Sequence, residues 1–181
     1  MFSVWLAPGF EEIEALAVVD ILRRAELPVV TVGVGDRLIT GSHGIAVMTD
    51  IKADDFTPDD DRLQGVVLPG GMPGTLHLDQ SPIVDRWIRH AADHDWWLCA
   101  ICAAPSILGH RGLLQHRRAV CFPGFEQELT GAHIETDPVV VDGKIITAKG
   151  AGAAVDFGLR IVGETVSVSR AAALRASLQC P

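Results

Sequence analysis

Short apolar runs along the chain alternate with stretches whose apolar residues recur at helical spacing. The runs predict strands over 2–7, 28–34, 65–69 and 96–101, and the helical spacing predicts helices over 11–25, 82–94 and 103–114, with an irregular hairpin region over 38–51. Such alternation predicts a mainly parallel sheet covered on both faces, because parallel strands are joined by crossover helices. In the first helix Ile13, Leu16, Ala17, Val19, Ile21 and Leu22 are expected to pack on the sheet, and Arg23-Arg24 with Pro28 beyond marks its end. Past Leu114 the pieces 119–123, 134–136 and 138–148 look like strands, the last carrying Asp142-Gly143 as a two-residue hairpin turn. A helix after Gly150-Ala-Gly152 carries Ala154, Phe157, Ile161 and Val162 on one side, and a last helix runs from about Ser167 to Leu178.

Length and composition narrow the picture to one compact domain over 1–181, since the chain is 48% apolar without the skew of a disordered or fibrous protein. A net charge of -8 with three lysines argues against a phosphate-tracking surface, so no nucleic-acid partner is expected. Met1 leads straight into a strand-like segment, and no apolar stretch is long enough to span a bilayer, so a cytoplasmic protein with no membrane partner is expected. The cysteines at 99, 102, 121 and 180 lack the spacing of a disulfide scaffold. Cys99 and Cys102 form a C-x-x-C string, but Cys99 falls inside a predicted strand on a buried face, which argues against a dithiol or zinc site. His90 and His94 have metal-ligand spacing without an H-E-x-x-H pattern, on a face expected to be solvated, so no metal is expected. Gly150-Ala-Gly152 lacks the third glycine of a dinucleotide fingerprint and reads as a turn before a helix, so no cofactor is expected. The acidic residues Asp54-Asp55 and Asp59-Asp60-Asp61 read as a solvated loop around Pro58.

The candidate chemistry lies in Leu98-Cys-Ala-Ile-Cys-Ala-Ala-Pro105, where an apolar run ends in a cysteine between small residues. Cys102 is thereby placed at the carboxyl end of a central strand, in a nucleophile elbow whose flanking Ala100 and Ala104 leave room for a sharp turn. A helix N-terminus beside the sulfur is expected to favour the thiolate; the alternative is a small buried hydrophobe that happens to be cysteine. Three loops are expected to meet here: Pro8 to Ala15, Leu68 to Gly74, and the elbow itself. Gly70 and Gly71 offer backbone free of Cβ atoms, so that Gly71 and Ala103 N–H groups can hold a developing oxyanion; a tight turn alone would also account for the pair. Glu14 sits in the first turn of a helix starting near the thiol, with Glu11 and Glu12 in the capping region. It serves either as an acid–base partner of the sulfur or as an ordinary partner of the helix dipole.

These blocks resemble the ThiJ/PfpI superfamily, and within it the branch of the parkinsonism-associated protein deglycase and its YajL-like bacterial relatives. The resemblance rests on A-P-G-F-E-E-I-E-A at 7–15, Val19 to Arg24, V-V-L-P-G-G at 66–71, A-I-C-A-A-P at 100–105 and K-G-A-G-A-A-V-D-F-G at 149–158. It implies a flavodoxin-like three-layer α/β/α sandwich of the class I glutamine amidotransferase kind, an oxidation-sensitive nucleophile at Cys102, and a carboxyl at Glu14 hydrogen-bonded to it. It also implies a homodimer with Asp20 and Arg24 at the interface. The implied activity is that of a cofactor-free glyoxalase or deglycase acting on methylglyoxal-type dicarbonyls or early glycation adducts. The alternatives are a redox-sensing chaperone working through oxidation of Cys102, and a small-molecule C–N hydrolase or hydratase. Glu11, Gly70, His43 and Phe122 are the expected substrate contacts, two of them departures from the family pattern. Phe122 stands where the deglycase branch has a histidine, and His43 where the family tends to place an arginine. Ala103 replaces the histidine that follows the nucleophile in the protease-like branch, which counts against a Cys-His dyad.

Overall fold

The computed structural model describes residues 1–57 and 62–180. Its strands are β1 (Phe2–Leu6), β2 (Val29–Gly33), β3 (Leu38–Thr40), β4 (Ala46–Met48), β5 (Ile51–Lys52), β6 (Gly65–Leu68), β7 (Trp97–Ile101), β8 (Arg118–Ala119), β9 (His133–Ile134), β10 (Val139–Asp142) and β11 (Ile145–Ala148). The helices are α1 (Glu12–Arg24), α2 (Gly74–Gln80), α3 (Pro82–Asp93), α4 (Pro105–His110), α5 (Ala154–Thr165) and α6 (Val168–Ser177). A seven-stranded sheet runs β10-β11-β7-β6-β1-β2-β5, and every pairing but β10 with β11 is parallel.

Alternate residues of the central strands feed two separate cores, which makes the architecture a flavodoxin-like three-layer sandwich. Trp5, Val66, Leu68, Leu98 and Ala100 face the α2–α4 side, whereas Phe2, Val4, Leu6, Val67, Cys99, Ile101 and Ile146 face α1 and α5. Strands buried on both faces need apolar residues at every position, which is why they appear in the sequence as continuous runs. Cys99 is thus a fully buried core residue on the opposite face from Ala100, and burial raises its thiol pKa.

Several expectations are corrected. On α1 the sheet-facing residues are Ala15, Val18, Val19, Ile21 and Leu22, while Ile13 and Leu16 are 57% and 37% exposed. The helix expected over 103–114 is the shorter α4, preceded by the elbow and followed by turns. The segment α2 was not expected, its seven residues being too few to show a helical period. Residues 120–123 form no ladder, because the Val120 N–H donates to Thr147 Oγ1 (3.0 Å) and the Phe122 N–H to the Cys102 carbonyl (2.8 Å). Residues 135–136 likewise lie outside β9. The β10–β11 turn is centred on Gly143-Lys144, one residue beyond the expected pair, with the positive φ (59°) at Gly143. His90 and His94 do not simply face solvent: their rings lie 4.0 Å apart against Trp96. Asp54 and Asp55 form an exposed 3-10 turn, whereas the rest of that acidic stretch falls outside the described residues.

Candidate active site

The site is assembled where β1, β6 and β7 end. Cys102 immediately follows β7 and adopts φ 65°, a left-handed value that a non-glycine residue rarely takes and that turns the side chain out of the strand line. Both peptide groups of the elbow are anchored, since the Cys102 N–H donates to the Ala148 carbonyl (2.9 Å) and its own carbonyl accepts from Phe122. Ala100 and Ala104 are fully buried beside it, and Ser106 Oγ–H ties down the Ala103 carbonyl at 2.7 Å. The half-buried sulfur receives the N–H groups of Gly71 and Ala103, the two donors expected from the sequence.

The glycine loop reaches the sulfur because it carries no side chains. Gly71 has φ 90°, and a Cβ there would lie 2.4 Å from the Glu11 nitrogen. A Cβ on Gly70 would lie 2.7 Å from both Cys102 Cβ and Glu14 Oε2. Glu11 is the N-cap of α1, its Oε2 accepting from the Glu14 N–H at 2.8 Å, while the Glu11 N–H donates to the Gly70 carbonyl at 2.9 Å. These bonds lock α1 to the glycine loop and aim Glu14 inward, where it is 1% exposed. Glu14 Oε2 accepts from the Gly70 N–H (2.8 Å), and the Cys102 thiol is the carboxyl's other hydrogen-bonding neighbour. Oε1 is buried without a partner of ordinary hydrogen-bond geometry.

Burial raises the Glu14 carboxyl to about 7, against the pull of the Gly70 N–H and the thiol. Burial, then the charge and hydrogen bond of Glu14, push the Cys102 thiol up to about 12, opposed by the Ala103 and Gly71 N–H groups. The expected lowering of the thiol by the helix N-terminus is therefore corrected: α4 is only six residues long, and desolvation outweighs it. The two groups act as a pair. With Glu14 protonated, its charge no longer opposes ionisation of the sulfur, and the two N–H groups are left to hold a thiolate. Glu14 is buried against the thiol rather than exposed at the start of the helix.

His43 lies beside the first turn of α1, its Nδ1 3.0 Å from Glu12 Oε2 and 3.9 Å from Glu11 Oε1, and its ring is exposed. The hydrogen bond to Glu12 raises the His43 pKa. Glu12, which the sequence places only in the capping region of α1, is a buried acid that holds a remote loop. Burial alone would raise its carboxyl, but hydrogen bonds from the His43 ring, the His43 N–H (2.8 Å) and the Ile45 N–H (3.3 Å) bring it down to about 2. Its partners lie about thirty residues away in the chain, which left no local pattern to find it by. Glu11, Glu12 and His43 come close enough to share a cation, but Glu11 already caps α1 and Glu12 already holds the 42–45 loop. Phe122 touches the site through its backbone, while its ring lies beside Gly150 and is 47% exposed. Asp20 and Arg24 form an exposed ion pair (2.6 Å) on the outer face of α1 and reach no part of the Cys102 cluster. Among the described residues no helix is long and apolar enough to cross a membrane.

Comparison with known proteins agrees with this fold. The chain is 32% identical to Protein dj-1beta of Drosophila melanogaster over 164 residues, covering 89% of this chain and 87% of that one. It is 29% identical to the glutathione-independent glyoxalase DJR-1.2 of Caenorhabditis elegans, covering 84% and 81%. A DJ-1 superfamily protein of Salmonella typhimurium, solved as a cysteine-to-alanine mutant, superposes with a TM-score of 0.93 at 31% identity, covering 99% of this chain and 98% of that one. Residues 2–164 match the DJ-1/PfpI family, and all the motif blocks that converge on Cys102 lie within that span, so the chain belongs to the DJ-1/PfpI family.

Proposed function

We propose that the protein is a cofactor-free glyoxalase or deglycase that converts α-oxoaldehydes, free or as early glycation adducts, into 2-hydroxy acids through Cys102. The observation that carries this reading is the buried Glu14 carboxyl, raised to about 7 and facing a thiol that already holds two backbone N–H groups. An acid–base group is most effective when its pKa lies near the working pH. In the reaction the sulfur adds to the aldehyde carbon, and the carbonyl oxygen takes the electron pair and then a proton from Glu14. The Glu14 carboxylate next removes the hydrogen on that carbon, giving an enediol, and returns the proton to the adjacent carbon, which leaves a 2-hydroxy thioester. Water cleaves the thioester, releasing the acid and restoring the thiol, so the net change is addition of one water. Gly71 and Ala103 N–H groups stabilise the charge that develops on the oxygen. The name of the Caenorhabditis relative supports the reaction class.

The test is conversion of methylglyoxal by the purified chain and its Cys102→Ser and Glu14→Gln variants. Both variants are expected to lose turnover, Glu14→Gln by about 100-fold or more. A Cys102→Ser variant as active as the parent would end this reading.

A second reading draws on the same donors: oxidation of Cys102 to a sulfinate whose oxygens take the place of the oxyanion, making the protein a redox-sensing chaperone. Mass spectrometry after mild peroxide is expected to show two added oxygens on Cys102 alone. Oxidation spread over the other thiols would count against it.

We also propose that α1 is a homodimer face. Ile13 and Leu16 are exposed on the same outer surface as Asp20 and Arg24, and apolar side chains at that spacing form a stripe suited to a second copy.

A further inference from the structure

A cleft of about 530 Å³ opens beside the elbow, lined in part by Phe122, Pro123, Pro138, Lys149, Gly150 and Ala151. Small-molecule sites occupy about 300–1,000 Å³. One wall is hydrogen-bonded to the nucleophile's own backbone, and the strand that leads into the other wall is as well. The Phe122 N–H donates to the Cys102 carbonyl (2.8 Å), and the Cys102 N–H donates to the Ala148 carbonyl (2.9 Å), two residues before Gly150. The far wall is closed by the Lys149 N–H donating to the Pro138 carbonyl at 3.0 Å. The Phe122 ring is nearly half exposed although large and apolar, and it lies against Gly150, where a Cβ would come within 3.3 Å of it. The acid at the end of the cleft, Asp156, is matched by Arg175.

We infer that this cleft holds the tail of the substrate and that the tail is aromatic: arylglyoxals, α-oxoaldehydes carrying an aromatic ring, are the class this site takes. The inference rests on the α-oxoaldehyde chemistry proposed above and adds to it the identity of the substituent. A polar tail would give up its hydration against proline, glycine and alanine walls, where side-chain polarity is confined to the exposed Lys149 and the ion-paired Asp156. A flat apolar ring gains an offset or edge-on contact with Phe122. A methyl group leaves most of the cleft to water.

The experiment measures kcat/KM for phenylglyoxal and for methylglyoxal on the intact chain, Ala151→Leu and Phe122→Ala. The quantity read is the ratio of the two values, because the aldehydes differ in intrinsic reactivity and the change in ratio between proteins removes that difference. Filling the cleft in Ala151→Leu is expected to lower the ratio by about tenfold or more, and removing the ring in Phe122→Ala to lower it several-fold. A ratio unchanged in both variants overturns the inference while leaving the glyoxalase reading intact. If neither aldehyde is consumed, the reaction reading fails and the cleft is read directly by titrating benzoylformate, an unreactive arylglyoxal analogue, against the amide resonances of Phe122 and Gly150. Shifts there that vanish in Ala151→Leu uphold the aromatic site. No shifts overturn it.

Discussion

At the scale of single residues, Glu14 links the stability of the protein to its chemistry. Its folded pKa of about 7 lies above the ordinary glutamate value near 4.3, so the folded state binds the proton more tightly than the unfolded chain. The stability associated with that proton is fully present below about pH 4.3 and is lost as pH rises through about 7, at a cost of about 3 kcal/mol. Glu14→Gln removes the cost. The variant is therefore expected to be more stable than the parent by up to about 3 kcal/mol at pH 8 and nearly equal to it at pH 4, measured by urea denaturation at both pH values. A variant destabilised at pH 8 would contradict the burial argument. The same titration governs activity, because loss of the pair's first proton creates the reactive form. The kcat/KM for an α-oxoaldehyde is expected to rise with pH along a limb centred near 7, and that limb is expected to be missing from whatever turnover Glu14→Gln retains.

At the scale of elements, α4 shows where local pattern and tertiary packing part company. Apolar residues continue past His110, yet the helix stops there. A Cβ at Gly109 would lie 2.1 Å from the Glu128 carbonyl oxygen, and Gly112 takes φ 69°, so the chain turns to meet the 126–128 segment. His110 clasps that junction, with Nδ1 2.8 Å from Asp79 on α2 and Nε2 2.9 Å from Glu128. The bond to Glu128 raises the His110 pKa most; burial opposes it, and the bond to Asp79 with the charges of both acids carries the net shift upward. A raised histidine contributes stability that is complete below about pH 6.5 and is lost as pH climbs through the folded value. His110→Ala is expected to lower the melting temperature at pH 6 and to have a smaller effect at pH 9. The difference should shrink further in high salt, since the ring is partly exposed. Equal losses at both pH values would show that His110 acts only through packing.

At the scale of the whole molecule, the seven-stranded sheet and its two cores bring loops far apart in the chain to one edge, and α1 presents its outer stripe next to them. If that stripe is the homodimer face, Ile13→Asp is expected to convert a dimer into a monomer in light scattering at micromolar concentration, without loss of helical circular dichroism. A parent chain that is monomeric under the same conditions would remove the proposal.

The sequence by itself determined the layered α/β fold, the position of Cys102 at an elbow and the approach of the glycine loop. These follow from near neighbours: strands buried on both faces must be apolar throughout, and small residues leave a sharp turn room to form. It also placed Glu14 in a first helical turn, but not its protonation. Only the tertiary structure decided that this carboxyl is dry and raised, that Cys102 is pushed up rather than down, that Glu12 clasps a loop thirty residues away, and that Ile13 and Leu16 face outward. Desolvation and exposure depend on which remote segments cover a group, and no window along the chain contains those segments.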